Sequence, residues 1–145
     1  MLTPLWRCAE CGRTFANKNQ SHFCGSRTPL DSHFLKRPPA VRALFDEFAS
    51  EVKACGRFTV ISEKTRIAFH LRMSFISMMV RNDHLAIGFV FGERIDSPRF
   101  DKIESYSPRN HWHRLRLRSG EIDDEVRSWI RAAYAVGQQR HLHSA

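Results

Sequence analysis

Apolar residues recur along this chain first at a helical spacing, then at every second position, then at a helical spacing again. Within residues 40–54, Val41, Leu44, Phe45, Phe48 and Val52 fall 3, 4, 7 and 11 residues from the first of them. Those offsets share one face of a helix, and the face is read as core. Gly56 stands where such a helix stops. Residues 65–72 alternate, with Ile67, Phe69 and Leu71 on one side and His70 and Arg72 on the other. Leu85, Ile87, Phe89 and Phe91 alternate in the same way, as strands with one buried face do. Residues 58–61, 73–80, 100–105 and 111–118 read as further strands. Arg81-Asn82-Asp83, Asp96-Ser97-Pro98 and Ser107-Pro108-Arg109-Asn110 supply the breaks between them. Connections this short favour an antiparallel meander. The helical period returns with Ile122, Val126, Trp129, Ile130, Ala133 and Tyr134. Glu121, Asp123, Asp124 and Glu125 crowd the start of that stripe, where a helix dipole favours anions, and Gly137 is its stop. The pattern predicts an α+β fold: a helix, an antiparallel sheet of about five strands, and a C-terminal helix on one sheet face.

Ahead of Pro38 and Pro39 neither period holds, and the chemistry changes. CAECGRTFANKNQSHFC, residues 8–24, offers Cys8 and Cys11 as a C-x2-C pair, then His22 and Cys24 as an H-x-C pair. Four nitrogen and sulfur donors so close in sequence suit one tetrahedral zinc ion. Phe15 is the one large apolar residue between the pairs, so a metal would supply folding energy that the segment lacks. Gly12 and Gly25 follow ligands, where a knuckle turn needs backbone freedom. The competing reading is two unrelated pairs or a free-thiol knuckle; the placement of the glycines argues against it. His33 is a fifth candidate, able to displace His22 or Cys24. A zinc with four protein ligands has no open position, so the expected role is structural. The two prolines place a boundary between a knuckle module, residues 1–37, and an α+β domain, residues 38–145. Cys55 lies outside the cluster, as a thiol at a helix end.

Charge adds to this picture. The formal net charge of the 145 residues is +8. Half of it falls in residues 1–37, which hold six Lys/Arg and two acids. A basic field of this density attracts polyanions, so nucleic acid is the first candidate partner and a protein the second. No apolar run is long enough to span a membrane, and the N-terminus lacks the apolar core of a secretion signal. The expectation is a cytoplasmic protein, where clustered cysteines bind metal more often than they pair.

HWHRLRLR, residues 111–118, is the second chemical feature. As a strand it puts Trp112, Arg114, Arg116 and Arg118 on one face, a set suited to stacking a base and following phosphates. The plainer reading is a solvated face with Trp112 under a helix. His111 and His113 point to the other side together, either as a ligand or acid–base pair with Glu104 nearby or as strand-start polar groups satisfied by loop backbone. Lys64, Arg66, Lys102, Glu104, Arg109, Asn110 and His111 are read as a polar pocket at one end of the sheet, suited to a small anion. H-E-x-x-H, G-x-x-x-x-G-K-[ST], G-x-S-x-G and G-x-G-x-x-G are all missing. Nothing therefore points to a particular reaction.

CAECGRTFANKNQSHFCG, EKTRIAFHLRMSF, RFDKIESYSPRNHWHRLRL and DDEVRSWIRAAYAVGQQRH together resemble an uncharacterised bacterial family. Its members join an N-terminal zinc-knuckle segment to a compact α+β domain of unknown function. The resemblance implies that Cys8, Cys11, His22 and Cys24 form the knuckle. It implies that Lys64, Arg66, Lys102, Glu104, Ser107, Arg109, Asn110 and His111 fall in polar motifs, and it suggests an accessory or recognition module. The leading expectation is a non-enzymatic, zinc-stabilised protein that binds nucleic acid. The alternatives are a small-ligand or anion-binding domain, or an enzyme, using the polar pocket, and a protein-interaction adaptor docking through the knuckle.

Overall fold

The computed structural model describes residues 3–20, 22 and 28–140. In chain order the elements are β1 (Trp6–Arg7), β2 (Thr14–Phe15), a 3-10 turn (Leu30–Phe34), α1 (Pro39–Lys53), β3 (Thr59–Ser62), β4 (Ile67–His70), β5 (Ser74–Val80), β6 (Leu85–Phe91), β7 (Phe100–Ser107), β8 (Asn110–Leu117) and α2 (Asp124–Gly137). Pro39 opens α1, a position where a missing N–H leaves no helix carbonyl unmet. The predicted stripe is the buried face of that helix, with Ala49 added to it. Gly56 follows with φ +143°, and a Cβ there would lie 2.5 Å from the Tyr134 hydroxyl. That hydroxyl donates to the Arg57 carbonyl at 2.7 Å, tying the end of α1 to α2.

β1 and β2 form a small antiparallel hairpin; the other strands form one six-stranded antiparallel sheet in the order β3-β4-β5-β6-β8-β7. The sheet has one strand more than expected, and it is not a simple meander. β8 pairs with β6 from Leu85↔Leu117 to Phe91↔His111, and β7 lies outside it. Side-chain character explains the exchange. β8 alternates buried His113, Leu115 and Leu117 with polar positions, whereas four of the eight residues of β7 are exposed and only Phe100 is buried. A polar strand with charged side chains is suited to an edge, where unpaired backbone must be kept from other chains.

The two sheet faces differ. Odd-numbered residues of β6 meet the helices: Phe89 packs on Phe48 and on Trp129, both at 6.2 Å between ring centres. Phe100 reaches Trp129 at 4.4 Å and Phe75 reaches Tyr134 at 5.4 Å. Phe48, Phe69, Phe75 and Phe89 are fully enclosed. Truncating such a ring costs about 3–5 kcal/mol. Among the described residues no helix covers the opposite face, called outer below. At its β3–β4 side it receives the β1–β2 hairpin: His70 Nε2 donates to the Thr14 carbonyl at 2.6 Å, and Phe15 meets the His70 ring edge-on at 5.5 Å.

Candidate metal centre and the cleft beside it

A tight turn joins β1 to β2. The Cys8 N–H donates to the Arg13 carbonyl at 2.9 Å, and the Gly12 N–H donates to the Cys8 carbonyl at 2.8 Å. Gly12 closes the turn at φ +75°, a conformation that side-chain-bearing residues rarely adopt. The turn brings Cys8, Cys11 and His22 together, with one ligand atom from each lying within 4.8 Å of the others. Donors held 2.0–2.3 Å from one ion in a tetrahedron stand about 3.3–3.8 Å apart. Cys11 Sγ and His22 Nε2 are already 3.3 Å apart. His22 Nδ1 donates to the Gln20 carbonyl at 2.6 Å, which leaves the Nε2 lone pair facing the sulfur. A carbonyl behind a ligating imidazole fixes its tautomer in this way.

The electrostatics fit metal ligands as well. The Arg13 backbone N–H bonded to Cys11 lowers that thiol to about 6, against the opposing effect of burial and with help from the Arg13, Cys8 and His22 side chains. The Gln20 carbonyl raises His22, again against burial and with help from both cysteines. Cys11 is therefore poised as a thiolate at neutral pH, the form that binds metal. Two sulfurs and an imidazole make a soft donor set suited to a zinc-like ion. Cys24, expected as the fourth ligand, lies outside the described residues. His33 lies elsewhere, on the 3-10 turn, with Nε2 2.9 Å from Ser62 Oγ. Cys55, outside the cluster, is a free thiol.

Between the hairpin and the outer sheet face lies a cleft of about 490 Å³. Arg13 and His22 line it from the hairpin side, Arg66, His70 and Arg72 from β4 and its flanks, and Asn110 from β8. Burial pushes the His70 ring below its ordinary pKa, against the effect of the Thr14 carbonyl, so it stands neutral with Nδ1 accepting from the Ser74 hydroxyl at 3.0 Å. Glu63, the one carboxylate lining the cleft among the described residues, pairs with Arg66 at 3.2 Å. Arg72 donates to Gln139 Oε1 at 2.8 Å and to the Thr3 carbonyl.

Of the residues read from the sequence as one polar pocket, Arg66 and Asn110 share this cleft. Lys64 lines a different depression with Arg37 and Arg81. Lys102 and Glu104 pair with each other at 2.9 Å on the edge strand. His111 sits at the β7–β8 turn beside Arg109, with Ser105 Oγ at 2.7 Å and the Pro108 carbonyl at 3.1 Å. The two histidines of HWH do not converge on one site. His113 is buried, its Nδ1 donating to the His111 carbonyl and its Nε2 accepting from the Ile95 N–H, both at 2.9 Å.

The alternate positions of the same strand behave differently. Trp112 lies on the outer face against Gly88, where an added Cβ would fall 2.0 Å from the indole nitrogen. Arg114 grips Asp101 with two hydrogen bonds, 2.8 and 3.1 Å, and Arg116 reaches the same carboxylate at 3.0 Å. The Arg114 hydrogen bond is the main reason the Asp101 carboxyl titrates below its usual range. Arg118 stands 3.8 Å from Asp83. Sequence spacing did not place Arg13, His70 or Arg72 in a site. The alternation of residues 65–72 had put His70 and Arg72 on a common face, but the approach of the hairpin depends on contacts more than fifty residues apart in sequence.

The architecture defines an α+β domain whose outer sheet face abuts an N-terminal Cys/His cluster able to hold a metal ion. The chain belongs to the family described as a domain of unknown function, DUF5655, whose family model matches residues 30–137. The match begins beyond the cysteine cluster. Searches of curated proteins and of solved structures find no match to the chain. Among the described residues no helix is long and apolar enough to cross a membrane.

Proposed function

We propose that this chain is a non-enzymatic binding module, stabilised by zinc at Cys8, Cys11, His22 and Cys24, that takes nucleic acid on the outer face of its sheet. The observation that carries the reading is Trp112 seated on Gly88 beside Arg114 and Arg116, on a face that no helix covers among the described residues. Two guanidinium groups share the single Asp101 carboxylate, so the cluster keeps a net positive charge while its arginines are held in place. Fixed cations beside an indole suit a phosphate backbone with a base stacked on the ring. Arg66 and Arg72 in the adjoining cleft extend the basic surface toward the hairpin.

The test is a salt titration by fluorescence anisotropy on duplex and single-stranded oligonucleotides. Affinity is expected to fall with salt, with a log–log slope of about −0.9 per neutralised phosphate on duplex. Arg114→Ala with Arg116→Ala lowers both affinity and slope. Gly88→Ala pushes Trp112 off the sheet and weakens single-strand binding more than duplex binding. An absence of binding to either form at ~50 mM salt, where non-specific phosphate contacts are strong, removes the reading.

A second reading has its own observation. Three arginines, Arg13, Arg66 and Arg72, line the 490 Å³ cleft against one carboxylate, which suits a small anion. Binding of a small carboxylate or phosphate that Arg66→Ala abolishes, in a protein that ignores oligonucleotides, would favour it.

A further inference from the structure

Lys64 was separated by the fold from the polar residues it was read with, and its actual surroundings are distinctive. At the end of the sheet where the β3–β4 and β5–β6 turns meet the 3-10 turn, a cleft of about 260 Å³ is lined by Lys64, Arg37 and Arg81, with His33 and Thr65. No carboxylate lines it among the described residues. Acids are close in sequence, but each is turned to another partner. Asp31 is 2.7 Å from Arg42, Glu63 is 3.2 Å from Arg66 on the far side of its turn, and Asp83 is 2.6 Å from His84. Arg37 is held by a hydrogen bond to Asn82 Oδ1, so one cation is fixed without being neutralised. Three like charges around one small cleft repel each other, and an anion entering between them relieves that repulsion.

The walls add a second observation. Leu35, 68% exposed, and Met79, 38% exposed, are large apolar side chains left open to solvent, and both line this same cleft. A bare inorganic anion would not use them. We propose that the cleft binds the phosphomonoester group of a small organic ligand, with Lys64, Arg37 and Arg81 around the phosphoryl oxygens and Leu35 and Met79 against the organic part. A phosphomonoester approaches two negative charges at neutral pH and offers three acceptor oxygens, which matches three cations and the Thr65 hydroxyl. Sulfate esters and carboxylates carry one charge and match less well. The site is remote in sequence and lining from Trp112, Arg114 and Arg116, so it stands independently of the nucleic-acid reading.

The experiment is an amide NMR titration of the full chain with phenyl phosphate, inorganic phosphate and phenyl sulfate. Phenyl phosphate is expected to shift the signals of Lys64, Thr65 and Arg81, and to bind more tightly than either of the other two. Lys64→Ala and Arg81→Ala should each weaken it about tenfold or more, the scale of one charge-assisted hydrogen bond. Leu35→Ser should bring phenyl phosphate down toward inorganic phosphate and leave the latter unchanged. An end-phosphorylated oligonucleotide that displaces phenyl phosphate, where its end-hydroxyl counterpart does not, identifies a nucleic-acid end as the source of the group; failure of both to displace it identifies a free small molecule. No shifts at these residues up to about 10 mM phenyl phosphate, where millimolar binding is visible, overturn the proposal. So do shifts centred on Arg66 and Arg72, or affinities that the two charge variants leave unchanged.

Discussion

His113 shows how one side chain can look catalytic in sequence and be structural in place. Both ring nitrogens are satisfied within the fold: Nδ1–H donates to the His111 carbonyl and Nε2 accepts from the Ile95 N–H. The ring lies between Phe91, at 4.7 Å, and Phe100, at 5.0 Å. It therefore pins the β6–β7 connection to β8. Protonation would put a charge into this apolar setting and break the bond to Ile95. Burial pushes its pKa down; the His111 and Arg94 charges push the same way, and the His111 carbonyl and Asp96 oppose them. Above about pH 6.5 both folded and unfolded chains hold the ring neutral. Below it the unfolded chain takes up a proton that the folded chain resists, so stability falls with pH. His33 and His70, also lowered chiefly by burial, act in the same direction. His113→Ala should cost about 2–4 kcal/mol, from the cavity and the orphaned Ile95 N–H. His113→Asn keeps a donor and an acceptor but cannot titrate. Denaturation midpoints at pH 7.5 and 5.5 should therefore show a smaller acid-side loss in the Asn variant than in the wild type; equal losses would rule out His113 as a contributor.

At the scale of elements, α2 depends on how its first turn is closed. Asp123 caps it, its Oδ1 accepting from the Val126 N–H at 2.9 Å. Arg99 braces the cap from the β6–β7 connection, reaching Asp123 at 3.0 Å and Glu125 at 2.9 Å while its guanidinium lies 5.2 Å from the Trp129 ring. The Val126 N–H is the main reason the Asp123 carboxyl titrates below its usual range, so its contribution is present above the unfolded value and is lost as pH falls through the folded one. Asp123→Ala should lower Tm, and Asp123→Asn, which keeps an acceptor but not the charge, should lie between Ala and wild type; a thermal melt near neutral pH measures both. Acidic residues ahead of an apolar stripe made this helix legible in the sequence, and the stripe of α1 was equally plain. The position of β8 was not. Alternation tells which side chains share a face but not which strand lies alongside, and the choice was made by the polar character of β7 together with an eight-residue connection, residues 92–99, able to step over a neighbour. The candidate site divides along the same line. Cys8, Cys11 and His22 were legible because their spacing is local, whereas the seat of Trp112 on Gly88 and the dispersal of Lys64 from Arg66 follow from pairings between distant strands.

The molecule as a whole joins two parts of unequal means. The six-stranded sheet and its helices enclose a core rich in phenylalanine, while the N-terminal hairpin has two-residue strands and buries only Cys8 and Phe15 among its described residues. So small a hairpin is marginal in water. Its ties to the sheet include the His70–Thr14 hydrogen bond and the Phe15–His70 ring contact, and ties of this kind do not replace a core. The proposed zinc would hold the hairpin by fixing both thiolates and the imidazole at once, with its binding free energy acting as local folding energy. The protein as purified should then contain one zinc per chain by elemental analysis. Removing it with a chelator, or replacing Cys8 or Cys11 with Ser, should open the amides of residues 6–15 to hydrogen exchange while β4, β5, β6 and β8 keep their protection. His70 should respond as well: freed from the Thr14 carbonyl and opened to water, its ring escapes much of the burial that holds its pKa down and should titrate closer to the ordinary histidine value. A histidine NMR titration of the zinc-bound and stripped proteins reads that change. If the hairpin stays protected and the His70 titration stays put after the metal is gone, the hairpin is held by packing and the metal is not its staple.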